Sequence, residues 1–149
     1  MVLVTMWRKI DKCYQFLKRT LLRAILAHGF VLDVGCGGGS FPLIREVVGV
    51  DVDRDSLLRC HYNYKVKADA QHLPFKDKSF DVALEMGCLP YIKEWVKALN
   101  EMKRVGRRVY LIEPLRRKER KHWFSFSELA KIGFPVFLIS RTIIIKVKR

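Results

Sequence analysis

The sequence predicts an α/β fold: a doubly wound sheet of seven strands, mostly parallel, with an antiparallel C-terminal hairpin strand. Three observations carry that reading. Short apolar runs alternate with helical stretches, and runs without in-out alternation belong to parallel strands covered on both faces. The first run, Val31-Leu32-Asp33-Val34, passes directly into Gly35-Cys36-Gly37-Gly38-Gly39-Ser40, a turn with glycine at alternate positions. At the other end only Ser140-Arg141 separates Val136–Ile139 from Thr142–Val147. Strands that close can be joined only as an antiparallel hairpin.

The elements follow in order. Trp7, Ile10, Tyr14, Leu17, Leu21 and Ile25 recur at spacings of three and four among cationic residues. That pattern predicts an amphipathic helix ending near His28-Gly29. Because it leads straight into a strand, it is placed over the sheet and not on a membrane surface. Ser40 can cap the helix start after the glycine turn, and Pro42 fits a first helical turn. Val47–Asp51 is the second strand, and Asp53 or Asp55 can cap a short helix through Leu57, Leu58 and Cys60. Lys65–Ala68 is the third strand, closing on Asp69. A turn-rich link, Leu73–Lys78, leads to the fourth, Phe80–Leu84. Glu94–Val105 forms a helix with Trp95, Leu99, Met102 and Val105 on its buried stripe, and Arg108–Ile112 is the fifth strand. Ser127–Ile132 is helical, before the hairpin.

With 149 residues the chain holds one domain, since a second core would need roughly another 100. It divides into an N-terminal helix (1–29), a ligand-binding core (30–113) and a basic loop, helix and hairpin (114–149). Half the residues are hydrophobic, which argues against disorder. No apolar run approaches the roughly 20 residues of a membrane span, and spread cations leave no signal-peptide core near the N-terminus. The four cysteines show no C-x-x-C pair and read as reduced thiols of a cytoplasmic protein. No Cys/His set has metal-ligand spacing, so no metal is expected. The net charge of +14 is concentrated late: from Lys76 onward there are eighteen Lys/Arg against eight Asp/Glu. Such an excess favours polyanions, or simply keeps the protein soluble.

Strand, glycine turn and helix start together make the nucleotide-binding corner of an open α/β sheet, where ligands sit at the carboxyl ends of the strands. Three acids arrive there. Asp33 precedes the first glycine by two residues, Asp51 ends the second strand, and Asp69 ends the third. Asp51 stands near the roughly 20-residue offset at which a carboxylate takes a pair of ribose hydroxyls. Asp69 can accept a hydrogen bond from an exocyclic amine such as that of adenine. An acid beside the loop suits a ligand carrying an ammonium or sulfonium group better than a pyrophosphate. Each acid alone could be a helix cap or a solvated strand end; their succession favours a site.

With these residues the chain resembles the class I S-adenosylmethionine-dependent methyltransferases, particularly the compact group similar to ubiquinone and menaquinone biosynthesis enzymes. The likeness rests on Val31 through Gly39, on Val48-Gly49-Val50-Asp51, and on Ala68-Asp69-Ala70 followed by Leu73-Pro74-Phe75 and Ser79-Phe80-Asp81. It implies a Rossmann-like fold with the last hairpin strand inserted antiparallel beside strand five. S-adenosylmethionine would be the cofactor, with Gly35, Gly37 and Gly39 beneath its methionine part. Asp33 would help hold the amino end through water, Asp51 the ribose hydroxyls, and Asp69 with the Ala70 backbone the adenine. Glu85 would lie where the chain runs past the methionine moiety. The sequence departs from the family in its short segment between glycine turn and strand two, and in Val105-Gly106-Arg107 before strand five. It also carries Leu89-Pro90-Tyr91 where many relatives have a His pair.

No catalytic residue is singled out: Glu85, Tyr91, Glu113 and His122 are candidate bases by location alone. Tyr91, Glu113, Arg116, Arg117 and Trp123 are the candidate acceptor-binding residues. The run from Arg116 to Phe124 interleaves cations with stackable aromatics, which suits RNA or a small acidic molecule, or is a solvated loop. No Asn/Asp-Pro-Pro-Tyr motif follows strand four to support methylation of a base amino group. With no substrate domain, a lid would come from this loop, the N-terminal helix, a second copy or a partner subunit. The alternative function is a non-catalytic protein of the same fold that binds nucleic acid or supports a partner enzyme.

Overall fold

The computed structural model describes residues 29–39, 46–114, 136–139 and 142–147. Five strands, β1 (Val31–Val34), β2 (Val47–Asp51), β3 (Tyr64–Lys67), β4 (Phe80–Met86) and β5 (Gly106–Pro114), pair in parallel in the order β3-β2-β1-β4-β5. The register sets Val31 opposite Val47 on one side and Val82 on the other. Chain order therefore reverses at β1, and the carboxyl ends of β1, β2 and β4 come together at the switch point where such sheets receive ligands. Beyond β5 the backbone of β7 (Thr142–Val147) runs antiparallel to β5, and β6 (Val136–Ile139) antiparallel to β7.

β1, β2 and β4 are buried on both faces, which is why their sequence shows no polar alternation, whereas β3 at the sheet edge is largely exposed. One face sets Leu32, Val34, Val48, Val50 and Leu111 against helix α2 (Trp95–Val105), whose Ala98, Leu99, Met102 and Val105 are buried. On the other, Val31, Val47, Val82 and Leu84 pack with Leu57 of helix α1 (Arg54–Arg59) and with Cys60 and Tyr62. Of the two candidate caps for α1 it is Asp53 that serves, accepting from the Asp55 and Ser56 amides. Arg104 on α2 donates to the Leu73 and Phe75 carbonyls and pairs with Glu101 and Asp77, tying the link ahead of β4 to the helix.

Three boundaries differ from the sequence expectation. β3 runs from Tyr64 to Lys67, so Asp69 lies beyond the strand and not at its last residue. β4 continues through Glu85 to Met86 because Val34 and Leu111 remain available as neighbours of Glu85. β5 begins at Gly106, which pairs with Phe80, and continues through Glu113 to Pro114. The expected N-terminal helix, the Ser40 cap, and the stretch holding Arg116, Arg117, His122, Trp123 and helix 127–132 lie outside the described residues.

Candidate functional site

The glycine turn leaves β1 by a series of left-handed bends: φ is +70° at Gly35, +53° at Gly37 and +92° at Gly39. These are the alternate glycines that the sequence singled out. An L-residue resists that region because its Cβ crowds the following carbonyl. At Gly37 a Cβ would meet nothing within 4 Å, so the main chain there is open to whatever approaches. The amides of Gly35 and Cys36 both donate to the Val50 carbonyl at 2.8 and 3.0 Å, hanging the bend on the end of β2.

Asp51 completes that attachment. One carboxylate oxygen accepts from the Gly37 amide at 2.8 Å and the other from the Asp53 amide at 2.9 Å. Each oxygen keeps a second acceptor position for a ligand hydroxyl. Asp69 accepts from the Gln71 amide at 2.8 Å and from the Gln71 side-chain nitrogen at 3.1 Å. The Gln71 backbone bond above all holds the Asp69 carboxyl below its ordinary range, and the Gln71 side chain, His72 and Lys97 add to it.

Between these two acids lies a cleft of about 440 Å³, within the size range of small-molecule sites. Gly35, Val52 and Ala70 line it with these acids, together with Cys88, Tyr91, Ile92 and Lys93. Tyr91 stands at the rim, 71% exposed, on a single 3-10 turn spanning Leu89–Tyr91. Of the expected contact residues, the structure thus brings Gly35, Asp51, Asp69, Ala70 and Tyr91 to one cleft.

Asp33 and Glu85 are elsewhere. Both are buried inside the sheet, on adjacent strands, and neither lines the cleft. Asp33 points toward the α1 face and accepts a 2.8 Å hydrogen bond from the Tyr62 hydroxyl. Burial pushes its pKa from 3.8 up to about 7; the Tyr62 bond opposes the rise, and the charges of Glu85 and Asp51 add to it. Glu85 accepts from the Cys88 and Leu89 amides at 3.1 and 3.4 Å, which fixes the start of the turn carrying Tyr91. Cys36, in the bend itself, is buried, and its thiol is held protonated by desolvation, with Asp33 and Cys60 reinforcing it. Glu113 is placed by its backbone on β5, opposite Ile143.

Sequence reading missed the residues behind the bend. His61 and Tyr62, between α1 and β3, touch the glycine turn and Asp33 across more than twenty positions of sequence. No local pattern announces such a contact. Gln71 and Lys93 were also missed, although the proximity of Gln71 to Asp69 is a usable signal, since an Asp two residues ahead of an amide forms local turns.

Comparison with known proteins bears directly on this geometry. The methyltransferase domain family matches residues 32–109, which contain the bend, all three acids and the parallel core. The chain is 31% identical over 104 residues to a phthiotriol/phenolphthiotriol dimycocerosates methyltransferase of Mycobacterium ulcerans, covering 59% of this chain and 38% of that protein. The chain spans 35% to 40% of the length of this relative and of two proteins of Methanocaldococcus jannaschii that it also matches. Among solved structures, a protein of Pyrococcus horikoshii OT3 superposes with a TM-score of 0.72 at 18% identity, over 93% of this chain and 91% of that one. A SAM-dependent methyltransferase of Aquifex aeolicus superposes with a TM-score of 0.64 at 17% identity, over 80% and 82%. At these identities the structural likeness shows the fold.

Proposed function

We propose that this chain, which belongs to the methyltransferase domain family, is an S-adenosylmethionine-dependent methyltransferase. The observation that carries the reading is that Asp51, Asp69 and Gly35 all line one cleft. A side-chain-free bend admits the ligand to the main chain, and the two carboxylates supply acceptors for hydroxyls and for an amine. The donor set fits a cationic adenosyl ligand: acidic and acceptor-rich, with an apolar edge from Val52 and Ile92. Asp51 takes the ribose hydroxyls, while Asp69 and the Ala70 backbone take the adenine. Gly35, Gly37 and Gly39 run beneath the methionine part. Asp33, which does not line the cleft and accepts from the Tyr62 hydroxyl, would act on that end through water. Glu85 acts by shaping the turn that carries Tyr91. The two C-terminal strands complete a seven-stranded sheet in this reading, with β7 inserted as the antiparallel member.

The bound sulfonium supplies an activated methyl group, and its transfer is an in-line displacement in which charge disperses. What the protein must provide is alignment of the acceptor with that methyl, and such positioning supplies about 7–11 kcal/mol at best. Tyr91, and Glu113 with the basic run from Arg116, form the acceptor side, for which RNA and a small acidic molecule are the two candidate classes. A homodimer or a partner subunit would add a lid over the cleft.

The test is calorimetry with S-adenosylmethionine, followed by transfer of radiolabelled methyl to RNA, protein and small-molecule fractions. Binding with a labelled fraction supports the reading. Binding without transfer to any fraction would instead support the non-catalytic alternative, and absence of binding removes both cofactor and activity.

A further inference from the structure

His61 meets the glycine bend and Tyr62 the strands beside it, and neither residue lines the cleft. The Gly38 carbonyl accepts two hydrogen bonds from His61, one from the backbone amide at 3.3 Å and one from ring Nδ1 at 3.1 Å. A carbonyl can only accept, so Nδ1 carries the proton in this arrangement. The ring also occupies the volume that a side chain on Gly39 would take: a Cβ there would sit 2.6 Å from His61 Cε1. Tyr62 repeats the relation one strand away. A Cβ on Gly49 of β2 would sit 2.8 Å from Tyr62 Cδ2, and the hydroxyl of that ring reaches Asp33. The two rings meet edge to face, with centroids 5.0 Å apart at 71°. Gly39 is therefore matched to the His61 ring alone, and Gly49 to the Tyr62 ring together with the Cys36 side chain.

We infer that His61 is a positioning residue for the cofactor, holding the Gly37-Gly38-Gly39 segment in its binding conformation through the Gly38 carbonyl while Tyr62 anchors the ring edge on. The start of the bend hangs on the end of β2 through the Val50 carbonyl and Asp51, whereas the Gly38 carbonyl is held from the segment after α1 by His61. The inference rests on the proposed cofactor site, because the segment that His61 holds is the one placed beneath the methionine part.

The test uses binding of S-adenosylhomocysteine to the full chain, measured by calorimetry beside thermal denaturation. Losing the ring bond is expected to weaken binding roughly 5- to 10-fold in His61→Ala. His61→Asn, whose amide nitrogen falls where Nδ1 was, restores binding to within about 2-fold; His61→Gln, whose nitrogen falls at the wrong depth, does not. A role confined to stability would move the melting temperatures and leave Asn and Gln alike. A second measurement needs no single variant to behave ideally: Gly39→Ala should weaken binding more with His61 present than with His61→Ala, because the ring causes the overlap. Equal binding by His61→Ala and the parent chain, or no difference between Asn and Gln, overturns the inference. If the parent chain itself fails to bind, it is the cofactor reading that has failed.

Discussion

Four acids approach the switch point, and they divide into two regions with opposite physics. Asp51 and Asp69 stand at the rim of the cleft, where backbone amides hold them and water reaches them. Asp33 and Glu85 lie a few residues away along neighbouring strands, inside the sheet and sealed from solvent. A carboxylate held by N–H donors in water stays ionised, whereas one stripped of water prefers its proton. Asp33 shows the second case, with its pKa raised to about 7 by burial. Position near the end of a strand thus does not decide an acid's work. An acid reaches the ligand when it follows the strand's last inward-facing residue; one step earlier it becomes part of the core.

The largest effect that would break this comparison concerns Asp33. Its carboxyl is raised in the folded protein relative to the unfolded chain, so between about pH 4 and pH 7 the folded state holds a proton that the unfolded state has lost. Stability is therefore greatest at the acid side of this window, falls as pH rises through it and levels off above about 7. The full span is on the order of 4 kcal/mol. Asp33→Asn keeps an acceptor for the Tyr62 hydroxyl and cannot ionise. Its unfolding free energy in urea should match the parent below about pH 4, exceed it by about a third of that span near pH 5 and by nearly all of it at pH 8. Parallel pH profiles for the two proteins would place Asp33 among the ordinary solvated acids.

At the rim the expected change is in affinity. Asp51→Ala removes the acceptor of the Gly37 amide together with the proposed ribose acceptor, and charge-assisted bonds of this kind contribute about 1.5–3 kcal/mol. Binding of S-adenosylmethionine should fall roughly 100-fold, with Asp51→Asn losing less because one oxygen remains. A variant that binds normally would show that the cleft between Asp51 and Asp69 is not where the cofactor sits.

The order of parallel elements was legible because each signal is local. Val31–Val34 and Val47–Asp51 announce themselves by composition, the bend by its alternate glycines, and α2 by the spacing of Leu99, Met102 and Val105. What could not be read is which way a side chain at a strand end faces. One residue of register decides it, and register is set by neighbours far away in sequence. Glu85 illustrates this. Read as lying just past a strand ending at Leu84, it would have reached the ligand; the continued pairing with Leu111 keeps it inside. His61 was invisible for the same reason, since its partner Gly38 lies on another element.

The smallest effect separates the two rim acids from one another. Asp69 has both oxygens engaged by Gln71, Oδ1 twice and Oδ2 once, so the adenine amine of the proposed site would take the one position left on Oδ2 and crowd the Gln71 side chain. Part of what Asp69 gains from the ligand is accordingly lost from Gln71, and Asp69→Asn should weaken S-adenosylmethionine by only about 5-fold. Gln71→Ala removes the competitor while keeping the backbone bond from the Gln71 amide. It should bind as well as the parent or slightly more tightly, and the two changes together should fall short of additivity because they act on one carboxylate. Titrations of the three variants and the parent decide the matter. A loss at Asp69→Asn as large as that at Asp51→Ala would mean that Gln71 swings clear on binding and that both rim acids carry equal shares of the ligand.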